Sequence, residues 1–297
     1  MAGFVVAAAA DSAYAWPAAL SLLSAATNST APCICLFVAD AVPAAVEEAI
    51  QHAFSKRGVP LEYVRADLGP YNHLPTGLHL TRAAYCRLLI PDLAESLAGL
   101  TLYVDADTLA IGDVAPLTTA LRPNDIVGAV RDRLIPVVGE ASAIPDWRQH
   151  GLSPSSPFFN SGVLLINNTR WRESNVSDRV VARLSEAPEA ARLADQGALN
   201  LVLYGQWREL PQDWNRAVRR SAAARVGSLV VSRRSVFSLR RTRILHFFQR
   251  VKPWTPEYPP GYLNDLYRAK WHQLLPIEPP PKQTYGDWLR RHAVSRR

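Results

Sequence analysis

Two acids stand one residue apart in LYVDADTLAIGDV, residues 102–114: Asp105 and Asp107, directly after the apolar run Leu102-Tyr103-Val104. On an extended chain, residues two apart point to the same side. Both carboxylates therefore meet at one place. Close anions repel, and one of them stays protonated unless a cation sits between them. A hard divalent ion resolves the conflict, and carboxylate oxygens are its ligands. Alone, an Asp-x-Asp pair is also consistent with turn residues closing a strand. The segment ILHFFQRVKPW, residues 244–254, adds His246 and, six residues on, Lys252. A neutral imidazole can complete a carboxylate shell, and a lysine is a point charge suited to phosphate. Ion and lysine together make a clamp for a diphosphate, and such a clamp stabilises a departing anion.

These groups need a frame to hold them. Gly3–Ala10 reads as a buried strand, Pro17 to about Thr27 as a helix ended by Asn28, and Cys33–Val38 as a second strand. Pro43–Arg57 reads as a helix stopped by Gly58, and Leu61–Arg65 as a third strand. That alternation predicts a parallel sheet with covering helices. Residues 66–80 read as a loop, Thr81–Leu89 as a helix and Leu100–Val104 as a buried strand. Further strands are expected at Asp125–Val130, Val163–Ile166 and Ile244–Phe248, and helices at Trp171–Ala187 and Asp195–Tyr204. The Pro-punctuated stretch 131–159 reads as a loop over a site. If Leu100–Val104 is a strand of such a sheet, the acids lie at its C-terminal end, where open α/β sheets bind ligands.

The bulk properties are compatible with this frame. The chain has 297 residues, 48% of them hydrophobic and 20% charged, enough for a sizeable core. Its formal net charge of +7 is uneven: the first Lys or Arg is Lys56, while arginines crowd 216–243 and 290–297. Of the three cysteines, Cys33 and Cys35 alternate along a strand, and buried reduced thiols are expected. The apolar N-terminus lacks a positive leader and is broken by Asp11 and Ser12, so a cytoplasmic protein is expected. The Arg-rich stretch and the C-terminal WLRRHAVSRR suit either a solvated face or an anionic partner, including the inner face of a membrane. Nucleic acid is not expected, because the basic residues lack interleaved aromatics.

Seven segments, in order, resemble glycosyltransferase family 8, which includes bacterial lipopolysaccharide galactosyl- and glucosyltransferases and the glycogenins. They are VAAAADSAY, AAYCRLLIP, LYVDADTLAIGDVAPL, FFNSGVLLINNTRW, ADQGALN, LPQDWN and HFFQRVKPW, spanning residue 4 to about 254. The resemblance implies an α/β, Rossmann-like nucleotide-diphospho-sugar transferase fold of GT-A type, with a mixed, mostly parallel sheet and helices on both faces. It implies a catalytic domain over 1–255; the density of Pro and aromatics after it makes 256–297 an expected wrap around the core and basic tail. By the same resemblance the reaction is retaining hexosyl transfer, galactose or glucose, from a UDP-sugar to a saccharide or glycolipid acceptor in lipopolysaccharide or other cell-surface glycan synthesis. The ion implied is Mn²⁺, or Mg²⁺.

Carried over motif by motif, the metal ligands are Asp105, Asp107 and His246, and Lys252 contacts the diphosphate. Ala9, Asp11, Tyr14 and Ala106 line the nucleotide, and Arg87 reaches the donor phosphate or sugar. Asp132, Asn160 and Asp195 bind sugar hydroxyls, and Gln196 lies near the anomeric carbon; Asp195 also reads as the N-cap of its helix. Three departures stand out. Gln249 occupies a position where the family usually has glycine, Ala13 replaces an Asn found in some relatives, and Gly197 marks the glycogenin-like branch. Two rival readings remain: DADTL fits the nucleophile loop of haloacid-dehalogenase-like phosphatases, and Gln249 raises a non-catalytic UDP-sugar-binding module.

Overall fold

The computed structural model describes residues 3–76, 82–187, 195–218 and 239–280. The chain opens with β1 (Phe4–Asp11), α1 (Ala15–Thr27), β2 (Cys33–Asp40), α2 (Ala44–Ser55) and β3 (Leu61–Arg65). A 3₁₀ segment (Arg82–Leu89) leads into α3 (Ile90–Ala94), β4 (Leu100–Val104) and β5 (Thr108–Ala110). Then come β6 (Val127–Arg131), β7 (Phe159–Asn167), α4 (Asn168–Glu173), α5 (Val176–Glu186) and α6 (Gln196–Val202). The described chain closes with β8 (Trp207–Leu210), β9 (Arg216–Ala217), β10 (Ile244–His246) and α7 (Tyr262–Leu274).

Seven strands form the main sheet in the order β3-β2-β1-β4-β7-β6-β8. All neighbours run parallel except β7, which is antiparallel to both β4 and β6. The apolar runs of β1 and β4 follow from burial on both faces. On one face Phe4, Val6 and Ala8 pack with Leu20 and Leu23 of α1 and with Tyr267 and Trp271 of α7. On the other, Val5 and Ala7 pack with Tyr85, Trp171, Val180 and Leu199 from the 3₁₀ segment and α4–α6. A second sheet, β9-β10-β5, holds β10 antiparallel to β5 with His246 opposite Thr108.

Several expectations are corrected. The helix expected at 81–89 is a 3₁₀ segment over Arg82–Leu89, and α-helical geometry begins only at Ile90, with Pro91 in the first turn of α3. The single helix expected at 171–187 is two, parted where Asn175 takes a left-handed φ of 49°. Strand β7 begins at Phe159, four residues earlier than expected, and a bulge after Ala129 sets Asn160 opposite Val130. Strand β10 ends at His246 rather than Phe248. The stretch 131–159 does carry turns, but Val138, Ile144 and Phe158 give it a small apolar core of its own. Most of the Arg-rich stretch, at 219–238, and the tail 281–297 lie outside the described residues.

Candidate active site at the strand ends

Asp105 follows β4, Asp11 ends β1 and Asp132 follows β6, so three acids reach the C-terminal edge of the parallel strands. The Asp105–Asp107 turn is built from main-chain bonds. Asp105 N–H donates to Gly162 O at 2.8 Å, Thr108 N–H to Asp105 O at 3.1 Å, and Phe247 N–H to Asp107 O at 2.8 Å. Ser21 of α1 donates to Asp105 O at 2.9 Å. The turn is thereby locked between the first helix and the segment that carries His246.

One donor atom from each of Asp105, Asp107 and His246 lies within 4.8 Å of the other two. His246 Nε2 sits 3.1 Å from Asp107 Oδ1 and 3.8 Å from Asp105 Oδ2, while its Nδ1 faces Asn215 Oδ1 at 2.9 Å. Gly162 makes this approach feasible. A Cβ there would fall 2.8 Å from Asp105 Oδ2 and closer still to the imidazole carbon Cε1. Two carboxylates and an imidazole nitrogen, converging at the edge of the sheet, fit a divalent cation.

The surrounding charges point the same way. Lys252 Nζ donates to Asp107 Oδ2 at 2.5 Å and to Phe247 O at 2.9 Å. Burial works against ionisation of Asp107, but the neighbouring His246 and Lys252 hold its carboxyl well below the usual carboxylate range. Burial likewise works against charging of His246, yet Asp107 keeps its pKa raised. Arg87, side chain 9% exposed, is shared: Nη2 pairs with Asp105 Oδ1 at 3.1 Å, Nε with Asp195 Oδ2 at 3.0 Å, and Nη1 donates to Ser161 O at 3.0 Å. Tyr103 donates to the same Asp105 Oδ1 at 2.6 Å, and Arg87 lies over its ring. Asp195 is fully buried, and burial pushes its carboxyl up to about 6 against the opposing pull of Arg87, with Asp105 adding to the rise. Its side chain makes no N-cap bond to α6, which corrects that expectation: the carboxylate is turned to Arg87 instead.

A second set of polar groups adjoins the first. Gln196 Oε1 accepts from Ser161 N–H at 3.0 Å and from Asn160 Nδ2 at 3.2 Å. Gln196 Nε2 and Asn160 Nδ2 both donate to Asp132 Oδ2, at 3.3 and 3.0 Å. Asp132 Oδ1 in turn accepts from Leu134 N–H at 2.7 Å, which fixes the loop that follows β6. Asp105, Asp107, His246, Lys252 and Arg87 thus form one group and Asp132, Asn160 and Gln196 another, with Asp195 attached through Arg87. The expected nucleotide residues stand nearby in different ways. Ala9 and Ala106 are buried, and Asp11 Oδ1 accepts from Ala13 and Tyr14 N–H. Tyr14 packs edge-on against Trp254, and burial, then Asp107 and Asp11, raise its hydroxyl pKa. Residues not singled out from sequence are Tyr103, Ser161, Gly162 and Asn215. They are common residue types whose importance is visible only through contacts.

The model of "Glycosyl transferase family 8" matches residues 5–257. The chain belongs to that family. It is 30% identical over 228 residues to General stress protein A of Bacillus subtilis, covering 74% of this chain and 77% of that protein. It is 36% identical over 138 residues to lipopolysaccharide glucosyltransferase WaaO of Escherichia coli, covering 44% of this chain and 38% of the relative. It spans less than two thirds of the length of several other relatives, including 28% of the probable glycosyl transferase Gly of Streptococcus gordonii. Among solved structures, galactosyltransferase LgtC with donor and acceptor sugar analogues superposes with a TM-score of 0.73 at 19% identity, covering 92% of this chain and 97% of that one. The fold is that of a GT-A glycosyltransferase.

Proposed function

We propose that this protein is a metal-dependent, retaining hexosyltransferase that moves galactose or glucose from a UDP-sugar to a saccharide or glycolipid acceptor, in lipopolysaccharide or related cell-surface glycan synthesis. The observation that carries the reading is the convergence of Asp105, Asp107 and His246 beside two buried cations, Lys252 and Arg87. Lipopolysaccharide glucosyl- and galactosyltransferases among the relatives support the substrate class.

Asp105, Asp107 and His246 would hold Mn²⁺ or Mg²⁺, which supplies positive charge against the diphosphate of the leaving UDP. Lys252 and Arg87 add fixed positive charge at the same edge, placed before reaction and shielded from water. Asp132 and Asn160 would orient the sugar through its hydroxyls, while Asp195, expected to do the same, is buried and reaches the site through Arg87. Gln196 would lie near the anomeric carbon, and its amide is held by Ser161 and Asp132. An amide is a poor nucleophile, so double displacement through Gln196 is disfavoured. Retention then follows from departure and attack on one face, with the leaving diphosphate helping to deprotonate the acceptor hydroxyl.

The phosphatase reading is set aside. The family assignment opposes it, and Asp105 is engaged by Arg87 and Tyr103 rather than presented as a nucleophile. The deciding experiment incubates the protein with Mn²⁺ and a panel of UDP-sugars and measures UDP release. Metal-dependent release from UDP-galactose or UDP-glucose is expected. Donor binding without release on any acceptor would establish the non-catalytic module, and a trapped glycosyl-enzyme adduct would overturn the same-face route. Peripheral membrane association, the remaining part of the reading, rests on the basic C-terminal sequence WLRRHAVSRR. It requires salt-sensitive sedimentation with anionic vesicles.

A further inference from the structure

The hydrogen bonds around Asn215 form a chain whose direction can be assigned. Gly162 N–H, which can only donate, bonds one end of the Asn160 amide at 3.0 Å, so that end is oxygen. Asn215 offers a group to the same oxygen at 2.8 Å, and that group must be its Nδ2. The other end of the Asn215 amide is therefore Oδ1, and it faces His246 Nδ1 at 2.9 Å. An amide oxygen only accepts, so His246 Nδ1 carries the proton. In the neutral ring the lone pair is then left on Nε2, the nitrogen turned toward Asp107 and Asp105. Backbone geometry holds the arrangement. Asn215 immediately precedes β9, which runs parallel to β10 with Ala217 opposite His246. Asn215 is 4% exposed, so water has little access to replace it.

We propose that Asn215 is a positioning residue for both halves of the site: it sets the tautomer of His246 for metal binding and, through Nδ2, the orientation of the Asn160 amide for the donor sugar. Metal-ligating histidines are commonly held by a carboxylate or carbonyl oxygen on the second nitrogen, and loss of such a partner lowers metal affinity or activity 10- to 100-fold. Here the partner is a neutral amide with a second hand, so one side chain joins the ion to the sugar subsite. The inference rests on the metal reading of Asp105, Asp107 and His246.

Its test uses the full chain. Two-bond ¹⁵N–¹H spectra of histidine-labelled protein with Mg²⁺, His246 being assigned by its loss in His246→Gln, should show a protonated Nδ1. Calorimetric titration with Mn²⁺ in the presence of UDP should show affinity about 10- to 100-fold weaker in Asn215→Leu. Asn215→Asp, which can still accept from Nδ1, should keep the tautomer and the Mn²⁺ affinity. It loses the donor to Asn160, so its KM for the UDP-sugar should rise while metal binding is spared. A protonated Nε2 in the Mg²⁺-loaded wild type, or wild-type Mn²⁺ affinity in a folded Asn215→Leu, overturns the proposal. If Asn215→Leu does not fold, loss of Mn²⁺ affinity in Asn215→Asp overturns it instead. Wild-type protein that binds no Mn²⁺ refutes the metal reading itself, and an unprotonated Nδ1 in that ion-free protein still overturns the assigned direction of the Asn215 bond.

Discussion

Gly162 shows how a residue without a side chain can decide a site. Alanine at that position would place its Cβ against the His246 ring and Asp105 Oδ2. Neither can retreat easily, since Asp105 is held by Tyr103 and Arg87 and His246 by Asn215. Gly162→Ala is expected to fold yet lose Mn²⁺ affinity by about 100-fold, at the upper end of what displacing a held ligand costs. Calorimetry together with circular dichroism checks this. Asp195 yields a pH prediction. Its folded-state pKa, about 6, lies above the ordinary 3.8, so the native state holds a proton that the unfolded chain releases between those values. The stability it contributes is fully present below about pH 4 and is lost as pH rises through 6. Asp195→Asn removes that slope, and melting temperatures of the two proteins should diverge between pH 4 and 7. Of these residues, the acids and His246 were legible in the sequence because their types carry metal chemistry. Gly162 and Asn215 were not, because their effect lies in the close approach of β7 and the start of β9 to His246 on β10, which no local pattern encodes.

At the scale of elements, α1 does more than cover the sheet. Ser21, Ser24 and Asn28 lie along one face at helical spacing, and all three address the strand that follows Asp105. Ser21 donates to Asp105 O, Ser24 accepts from Ala110 N–H at 3.0 Å, and Asn28 donates to Ala110 O at 3.2 Å. Ser21 also bonds the Thr108 hydroxyl. Ser21→Ala removes one of three donors to Asp105 O, the Thr108 N–H and hydroxyl remaining; it should cost about 1 kcal/mol, measurable by urea unfolding, and weaken Mn²⁺ binding through the loosened turn. The β-α-β-α-β opening was legible because its apolar periods and Pro and Gly punctuation are local. The short strands β5, β9 and β10 were not fully so. Two or three residues carry too little pattern, and their pairing is set by contacts across long sequence separations.

The molecule as a whole is held by a core that runs past the last family motif. Tyr267 and Trp271 of α7 pack in the same apolar cluster as β1 and α1. Trp271 also donates to Ile277 O at 3.0 Å. Trp271→Ala is expected to destabilise the protein by about 3–5 kcal/mol, read by chemical denaturation, although it lies far along the chain from the acids. The density of Pro and aromatics in that tail signalled packing, but its partner, α1, could be known only from the fold.

The join between β5 and β10 has a thermodynamic corollary. Asp107 and Lys252 touch although 145 residues separate them in sequence, and His246 arrives on the same strand pair. A cation bound there would rivet early and late parts of the chain together and stabilise the fold by mass action.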